Sequence, residues 1–171
     1  MKRSEQRWYD EVREITTRLV RIKSISPNVA GENACATEIR RALEERGVES
    51  ATWELPADGR KIVWAMVEGE AVPQDAGRIP TVVLTGHLDT AGVQDYGDDL
   101  DPFDPDGLRE RLVQYARDHP DTHDERALDA TSGQWMFGRG SFDMKSGVAA
   151  QIAVMGALAD SSASLPGNVV L

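Results

Sequence analysis

The chain has 171 residues, of which 40% are hydrophobic and 28% charged, and its formal net charge is −10. A chain of this length can bury one hydrophobic core, and no apolar stretch approaches the roughly 20 residues needed to cross a bilayer. The acidic excess argues against binding to nucleic acid, whose phosphates require clustered Lys and Arg. The single cysteine, Cys35, cannot form an internal disulfide, which favours a reducing, cytoplasmic compartment.

Two amphipathic helices are predicted at the start of the chain. Apolar residues recur at helical spacing from about residue 4 to 23, with charges between them, and again from about 32 to 46. Gly47 follows the second pattern, and glycine is the residue that most often ends a helix. Cys35 lies near the start of the second helix, where we expect a small buried thiol rather than a nucleophile.

Strands are predicted next. Segments 52–55 and 62–68 have the composition of strands, with a turn at residues 58 and 59 between them. A surface loop is expected at 74–77. The apolar run 79–86 is rich in β-branched residues and closes with a glycine, so it predicts a buried strand at the centre of a parallel sheet.

The second half of the chain contains an acidic insertion at about 94–130, with twelve acidic residues against four basic ones. We interpret it as a solvated surface insertion in preference to a cation-binding loop, with a short helix at 108–118. A strand or extended segment is expected at 134–137 and a largely buried helix at about 144–159. Residues 168–171 resemble the opening of another buried strand, and no linker divides the chain into two domains.

The first candidate site is His87-Leu88-Asp89, which follows the predicted strand 79–86. Chemistry in open α/β sheets gathers beyond the C-terminal ends of the strands. Residues two apart on an extended chain point to the same side, so Asp89 can brace the imidazole of His87. A metal-bound histidine typically has its second ring nitrogen held by a carboxylate. This segment therefore indicates a metal ligand at His87, with an ordinary structural His-x-Asp pair as the alternative.

The second candidate is a glycine-rich turn at the start of the last predicted helix. Gly138 and Gly140 allow a tight turn that delivers Asp143 to the helix N-terminus. A dinucleotide-binding fingerprint would need a glycine where Asp143 stands, and a P-loop would need glycines in place of Arg139 and Met144. Both patterns fail, which leaves an Asp-capped turn without chemistry as the alternative. An imidazole and a carboxylate brought to one sheet edge suit an ion such as Zn²⁺.

Together the two segments resemble the dizinc aminoacylase and carboxypeptidase family, which includes acetylornithine deacetylase, succinyl-diaminopimelate desuccinylase and glutamate carboxypeptidase. The family motifs Gly-His-x-Asp-Thr and Gly-Arg-Gly-x-x-Asp-Met-Lys-x-Gly stand here at residues 86–90 and 138–147. The opening helix, with residues 24–27 and 31–33, also matches the family's N-terminal pattern. The long acidic insertion, together with residues 92–97, is similar to the arginine-utilisation branch of RocB-type proteins.

The resemblance implies a three-layer α/β/α fold with a mixed, mainly parallel sheet, incomplete at the C-terminus. It also implies that His87 binds one metal ion, that Asp143 bridges two, and that Asp89 orients His87. Zn²⁺ would be the metal, with Co²⁺ or Mn²⁺ as alternatives. The implied reaction is hydrolysis of a small amide or short peptide in arginine or amino-acid catabolism, by a full-length form that dimerises. Arg139 and Lys145 are expected to hold the turn rather than touch substrate.

In the family, the general-base Glu, the remaining metal ligands and a lid or dimerisation domain all follow the strand that opens here at residue 168. We therefore expect residues 1–171 to be the N-terminal part of a catalytic domain, without the lid domain and inactive alone. His119 and His123 are poor substitutes as ligands, because Pro120 disrupts helical spacing between them. Two alternatives stay open: a non-catalytic binding module on the same scaffold, and a nucleotide-binding α/β domain, against which the failed glycine patterns count.

Overall fold

The structure is a computed structural model that describes residues 5–70, 77–121 and 123–171. Most of the loop predicted at 74–77 and the first residue of the first predicted helix lie outside these ranges. The helices are α1 (Glu5–Val20), α2 (Val29–Glu44), α3 (Pro105–Asp118), α4 (Glu125–Ser132) and α5 (Ser146–Ala159). The strands are β1 (Ser50–Glu54), β2 (Lys61–Val67), β3 (Thr81–Val83) and β4 (Asn168–Val170). Single 3₁₀ turns cover Gln94–Tyr96 and Ser162–Ser164.

The two opening helices form where the apolar periodicity placed them, and both are confirmed. Asn28 caps α2, because its side-chain oxygen accepts a hydrogen bond from the backbone N–H of Gly31 at 3.2 Å. Beyond α2, Gly47 takes a φ of 71°, the left-handed conformation that commonly ends a helix. Cys35 is fully buried, as expected, and burial raises the pKa of its thiol.

The sheet has the strand order β1-β2-β4-β3. The β1–β2 and β2–β4 pairings are antiparallel, and the β4–β3 pairing is parallel. The α/β class and the mixed sheet are confirmed. A mainly parallel sheet was expected, but only one of the three pairings among the described strands is parallel. For β1 and β2 the reason is local: a turn at Gly59, with a φ of 75°, joins them as a hairpin, which imposes antiparallel pairing.

Strand β3 differs from its prediction as a buried central strand. It spans only three residues at the edge of the sheet, and Val82 and Val83 are 57% and 67% exposed. An apolar β-branched run indicates a strand, but its burial depends on what covers it, and in the described part of the chain no strand pairs with its outer edge. The neighbouring prediction for 168–171 is confirmed, because β4 forms there and lies inside the sheet between β2 and β3.

The core lies between one face of the sheet and helices α1, α2 and α5. Alternation along β2 turns Ala65 and Val67 toward the helices, where both are buried. The intervening residues point to the opposite side, which we call the outer face. It carries the exposed side chains of Trp53, Ile62, Trp64 and Met66. The described residues thus form two of the three expected layers.

The acidic insertion forms a helical pair of its own, in which α3 packs against α4. Helix α3 begins three residues before its predicted start, with a proline in its first turn. Helix α4 was not predicted. Residues 134–137 have no regular secondary structure and lie outside any strand of the described sheet. Ion pairs connect the insertion to the rest, including Arg21 with Asp106 at 2.8 Å.

The buried helix predicted at 144–159 is confirmed as α5, which starts two residues later, at Ser146. Ile152, Ala153 and Met155 are fully buried. The start is delayed because Met144, with φ −131° and ψ 36°, is not helical and belongs with Asp143 to the turn that precedes the helix. None of the described helices is long and apolar enough to span a membrane.

Candidate metal site

His87 and Asp143 meet, although 56 residues separate them in the sequence. The Nε2 atom of His87 lies 2.9 Å from Oδ1 of Asp143. On the other side of the ring, Nδ1 lies 3.1 Å from the backbone oxygen of Asp89 and 3.2 Å from its Oδ1. The structure therefore brings together all three residues predicted for the site. Asp89 stands on the ring nitrogen where an orienting carboxylate belongs, and Asp143 stands on the nitrogen that would face a metal.

The two carboxylates beside His87 raise the pKa of its imidazole. Partial burial lowers the pKa of His87, but the hydrogen bond that His87 donates to Asp143, the backbone contact with Asp89 and the charges of both carboxylates outweigh it, so the pKa is raised. Two acceptors flank the ring, so both nitrogens can donate at once only in the imidazolium form. The site is open, since the side chains of His87 and Asp143 are 47% and 77% exposed. A cation arriving from solvent would displace the Nε2 proton.

Glycines bring the turn against the His87 segment. Gly138 and Gly140 have φ values of 130° and 84°, which residues with a side chain rarely adopt. A Cβ at Gly140 would lie 2.7 Å from Cγ2 of Thr90 and 3.1 Å from Cδ of Lys145. The absence of a side chain at Gly140 therefore allows the turn that carries Asp143 to pack directly on the chain leaving His87.

Arg139 and Lys145 hold the turn in place, as expected from the sequence. Lys145 is 1% exposed, and its Nζ donates to the backbone oxygens of Leu19 and Ile22, each at 2.8 Å. Burial lowers the pKa of this lysine. Arg139 pairs with Asp95 at 2.5 Å, and the hydrogen bond from Arg139 lowers the pKa of that carboxyl.

A cavity of about 280 Å³ lies at the site, between residues 87–91 and the turn 138–143. Thr90 belongs to its lining, and the buried Oγ1 of Thr90 has no hydrogen-bond partner among the described residues. An imidazole nitrogen facing a carboxylate is a donor set that suits Zn²⁺. Within the described ranges no cluster of three or more His, Cys, Asp or Glu side chains is positioned to hold a metal ion. The residues therefore fit a divalent cation as two of the three protein ligands that catalytic zinc sites usually carry.

Other residues at the site were not identified from the sequence. The backbone N–H of Thr90 donates to the oxygen of Ser24, and the N–H of Ser26 donates to the oxygen of Thr90. Thr90 stands within the motif at 86–90 and Ser24 within the pattern at 24–27, which were the available signals. His119 does not lie with the candidate ligands. Its ring stacks on Tyr115 with centroids 4.3 Å apart, and its Nδ1 lies 3.0 Å from the Tyr115 backbone oxygen.

Sequence comparison finds relatives in Bacillus subtilis (strain 168). The chain is 34% identical to RocB over 170 residues, which is 94% of this chain and 28% of RocB. It is 29% identical to the uncharacterized protein YqjN over 153 residues, 85% of this chain and 26% of YqjN. No protein-family model matches. The chain thus spans less than a third of the length of the curated relatives it matches.

Solved structures of low sequence identity share the fold. The M20 family metallo-carboxypeptidase Sso-CP2 from Sulfolobus solfataricus matches with a TM-score of 0.60 at 18% identity, over 95% of this chain and 30% of that protein. Human carnosine dipeptidase 1 matches at 0.57 and 20%, over 94% and 31%. The di-peptidase Dug1p from Saccharomyces cerevisiae matches at 0.57 and 18%, over 96% and 32%. In each case the chain corresponds to about a third of the larger structure.

Proposed function

The chain is a relative of RocB with the fold of M20 metallo-carboxypeptidases, as its two motifs predicted, and from this premise we propose that it is the N-terminal part of a metal-dependent amide or peptide hydrolase. One observation carries the proposal: Nε2 of His87 lies 2.9 Å from Asp143 while Asp89 occupies Nδ1. The names of the structural neighbours, two dipeptidases and a carboxypeptidase, support short peptides or related amides as the substrate class.

Each of the three residues has a distinct part in this proposal. Asp89 accepts a hydrogen bond from Nδ1–H of His87 and so leaves Nε2 to serve as a ligand, beside the carboxylate of Asp143. A bound Zn²⁺ would supply Lewis-acid polarisation of a carbonyl and activation of water. His87 must lose its Nε2 proton before it can act as a ligand, and its raised pKa makes that step dependent on pH. Co²⁺ and Mn²⁺ are the alternative metals for this pair.

The wider parts of the proposal rest on the resemblance alone. They are a second ion bridged by Asp143, a role in arginine or amino-acid catabolism in the cytoplasm, and a homodimeric full-length form. We also propose that residues 1–171, with two candidate ligands, bind metal weakly and do not turn over substrate. The loss of a general base alone costs about 10²–10⁴-fold in rate. Zn²⁺-dependent hydrolysis of a dipeptide or an N-acyl amino acid by the purified chain would contradict this.

A titration of Zn²⁺ against a chromophoric chelator tests the site directly. We expect the purified chain to compete for the ion, and His87→Ala and Asp143→Asn to weaken that competition. His119→Ala is the matched control, because it removes an imidazole that is bonded to Tyr115 and lies apart from the site. Equal Zn²⁺ affinity in the wild type and His87→Ala would show that the site is not a metal site.

A non-catalytic binding module is the second candidate. It is favoured by the limited donor set, since no cluster of three metal-binding side chains was found in the described part of the chain. Partner binding that persists in the presence of a chelator and in Asp143→Asn would support this function over hydrolysis.

A further inference from the structure

The turn that carries Asp143 is fastened to the end of helix α1. The fully buried Lys145, two residues after Asp143, donates to the carbonyls of Leu19 and Ile22 at 2.8 Å each. Leu19 lies in the last turn of α1 and Ile22 just beyond it, and carbonyls at the C-terminal end of a helix attract cations. Burying an ammonium group is costly unless it is well bonded, so the position of Lys145 requires both of these bonds.

The segment that carries His87 is fastened to the same stretch of chain. The Oγ of Ser24 donates to the backbone oxygen of Leu88 at 2.7 Å. The N–H of Thr90 donates to the oxygen of Ser24 at 2.8 Å, and the N–H of Ser26 donates to the oxygen of Thr90 at 3.0 Å. Ser24 is fully buried and Thr90 is 3% exposed, so these bonds are shielded from water. These bonds hold Leu88 and Thr90, the two residues on either side of Asp89, and Leu88 directly follows His87.

The turn that carries Asp143 and the segment that carries His87 are therefore both hydrogen-bonded to residues 19–26, which we call the anchor segment. His87 and Asp143 themselves meet on an open surface, where a single exposed contact contributes little to holding two segments together. We propose that the anchor segment sets the separation of the two candidate metal ligands, and that Lys145 and Ser24 are positioning residues acting through its backbone. The inference rests on the proposed function, because it concerns how the same site is held ready for a metal ion.

The test compares two variants with two matched controls. Lys145→Met keeps an unbranched side chain one atom shorter and removes both donated bonds, and Ser24→Ala removes the bond to Leu88. Lys23→Met removes a cation from the same segment, but its side chain is 65% exposed and lies 4.0 Å from Asp101. Ser161→Ala removes an equivalent hydroxyl-to-carbonyl bond, at the end of α5.

Two readouts are measured below the melting temperature of each protein. The first is the set of ¹⁵N ring resonances of His87 in the metal-free chain. Asp143→Asn is the reference for a ring whose Nε2 no longer faces a carboxylate. The second is Zn²⁺ affinity by chelator competition. We expect both positioning variants to move the resonances toward those of Asp143→Asn and to weaken Zn²⁺ binding by about 10–100-fold. Lys23→Met and Ser161→Ala should leave both readouts at wild-type values.

If Lys145→Met and Ser24→Ala lower only the melting temperature, with resonances and affinity unchanged, the two residues merely stabilise the fold and the proposal is overturned. If Lys145→Met does not fold, Ser24→Ala decides by the same criteria. A wild-type chain that binds no Zn²⁺ contradicts the proposed function instead, and the ring resonances then decide the positioning role by themselves.

Discussion

Replacing Gly140 by alanine should destabilise the chain through two separable effects. The backbone there has a φ of 84°, and a left-handed conformation costs a side-chain-bearing residue about 1–2 kcal/mol. The new Cβ would also stand 2.7 Å from Cγ2 of the buried Thr90, and overpacking of this kind costs about 1–3 kcal/mol. We therefore expect Gly140→Ala to lower the free energy of unfolding by about 2–5 kcal/mol.

Gly47 provides the matched control, since it has a φ of 71° and nothing lies within 4 Å of the position of its Cβ. Gly47→Ala carries the backbone cost alone, about 1–2 kcal/mol. Both free energies follow from urea unfolding monitored by circular dichroism, with the slope of the transition compared to confirm that the unfolded states match. Equal losses for the two variants would refute the reasoning, because they would mean that the turn and the Thr90 segment are not in tight contact.

Three further predictions concern the site and the core. Asp143→Asn should return the raised pKa of His87 toward its ordinary value of 6.5, as measured by NMR titration of the metal-free chain, and an unchanged pKa would mean that the contact is absent in solution. Because that pKa is raised, the His87–Asp143 contact should stabilise the fold fully below pH 6.5, and this stabilisation should be lost as pH rises through the folded-state pKa. Protonation of His87 should also weaken Zn²⁺ binding as pH falls through the same pKa, which calorimetry at several pH values would detect. Ile152→Ala should cost about 2–5 kcal/mol in urea unfolding, because Ile152 is fully buried, and Val154→Ala on the same helix should cost less, since Val154 is 41% exposed.

The main helices and the glycine-rich turn could be predicted from the sequence. The positions of α1, α2 and α5 follow from apolar periodicity, and the role of Gly140 follows from its place in a tight turn. The approach of Asp143 to His87 was also predictable, since the motifs at 86–90 and 138–147 resemble two motifs of one family whose residues form a single site. These features depend on neighbours in sequence or on a motif whose residues act together.

The features that the sequence did not predict depend on tertiary contacts, with the exception of helix α4. The apolar run at β3 indicates a strand equally well at the centre or the edge of a sheet, and only the partners decide between them. The bonds of Lys145 and Ser24 join residues more than 60 positions apart, which no local pattern specifies. Helix α4 is different, because its boundaries were marked by Asp124, a capping residue, and by Gly133, which has a φ of 71°.

The outer face of the sheet has a practical consequence for following this protein in solution. Trp53 and Trp64 lie on paired strands in diagonal positions, and they are 63% and 48% exposed. Indole emission shifts to shorter wavelength when water is removed from around the ring. A molecule that covers this face should therefore shift the emission of Trp53 and Trp64, and comparison with a Trp53→Phe, Trp64→Phe variant separates that change from the emission of the other two tryptophans, Trp8 and Trp135.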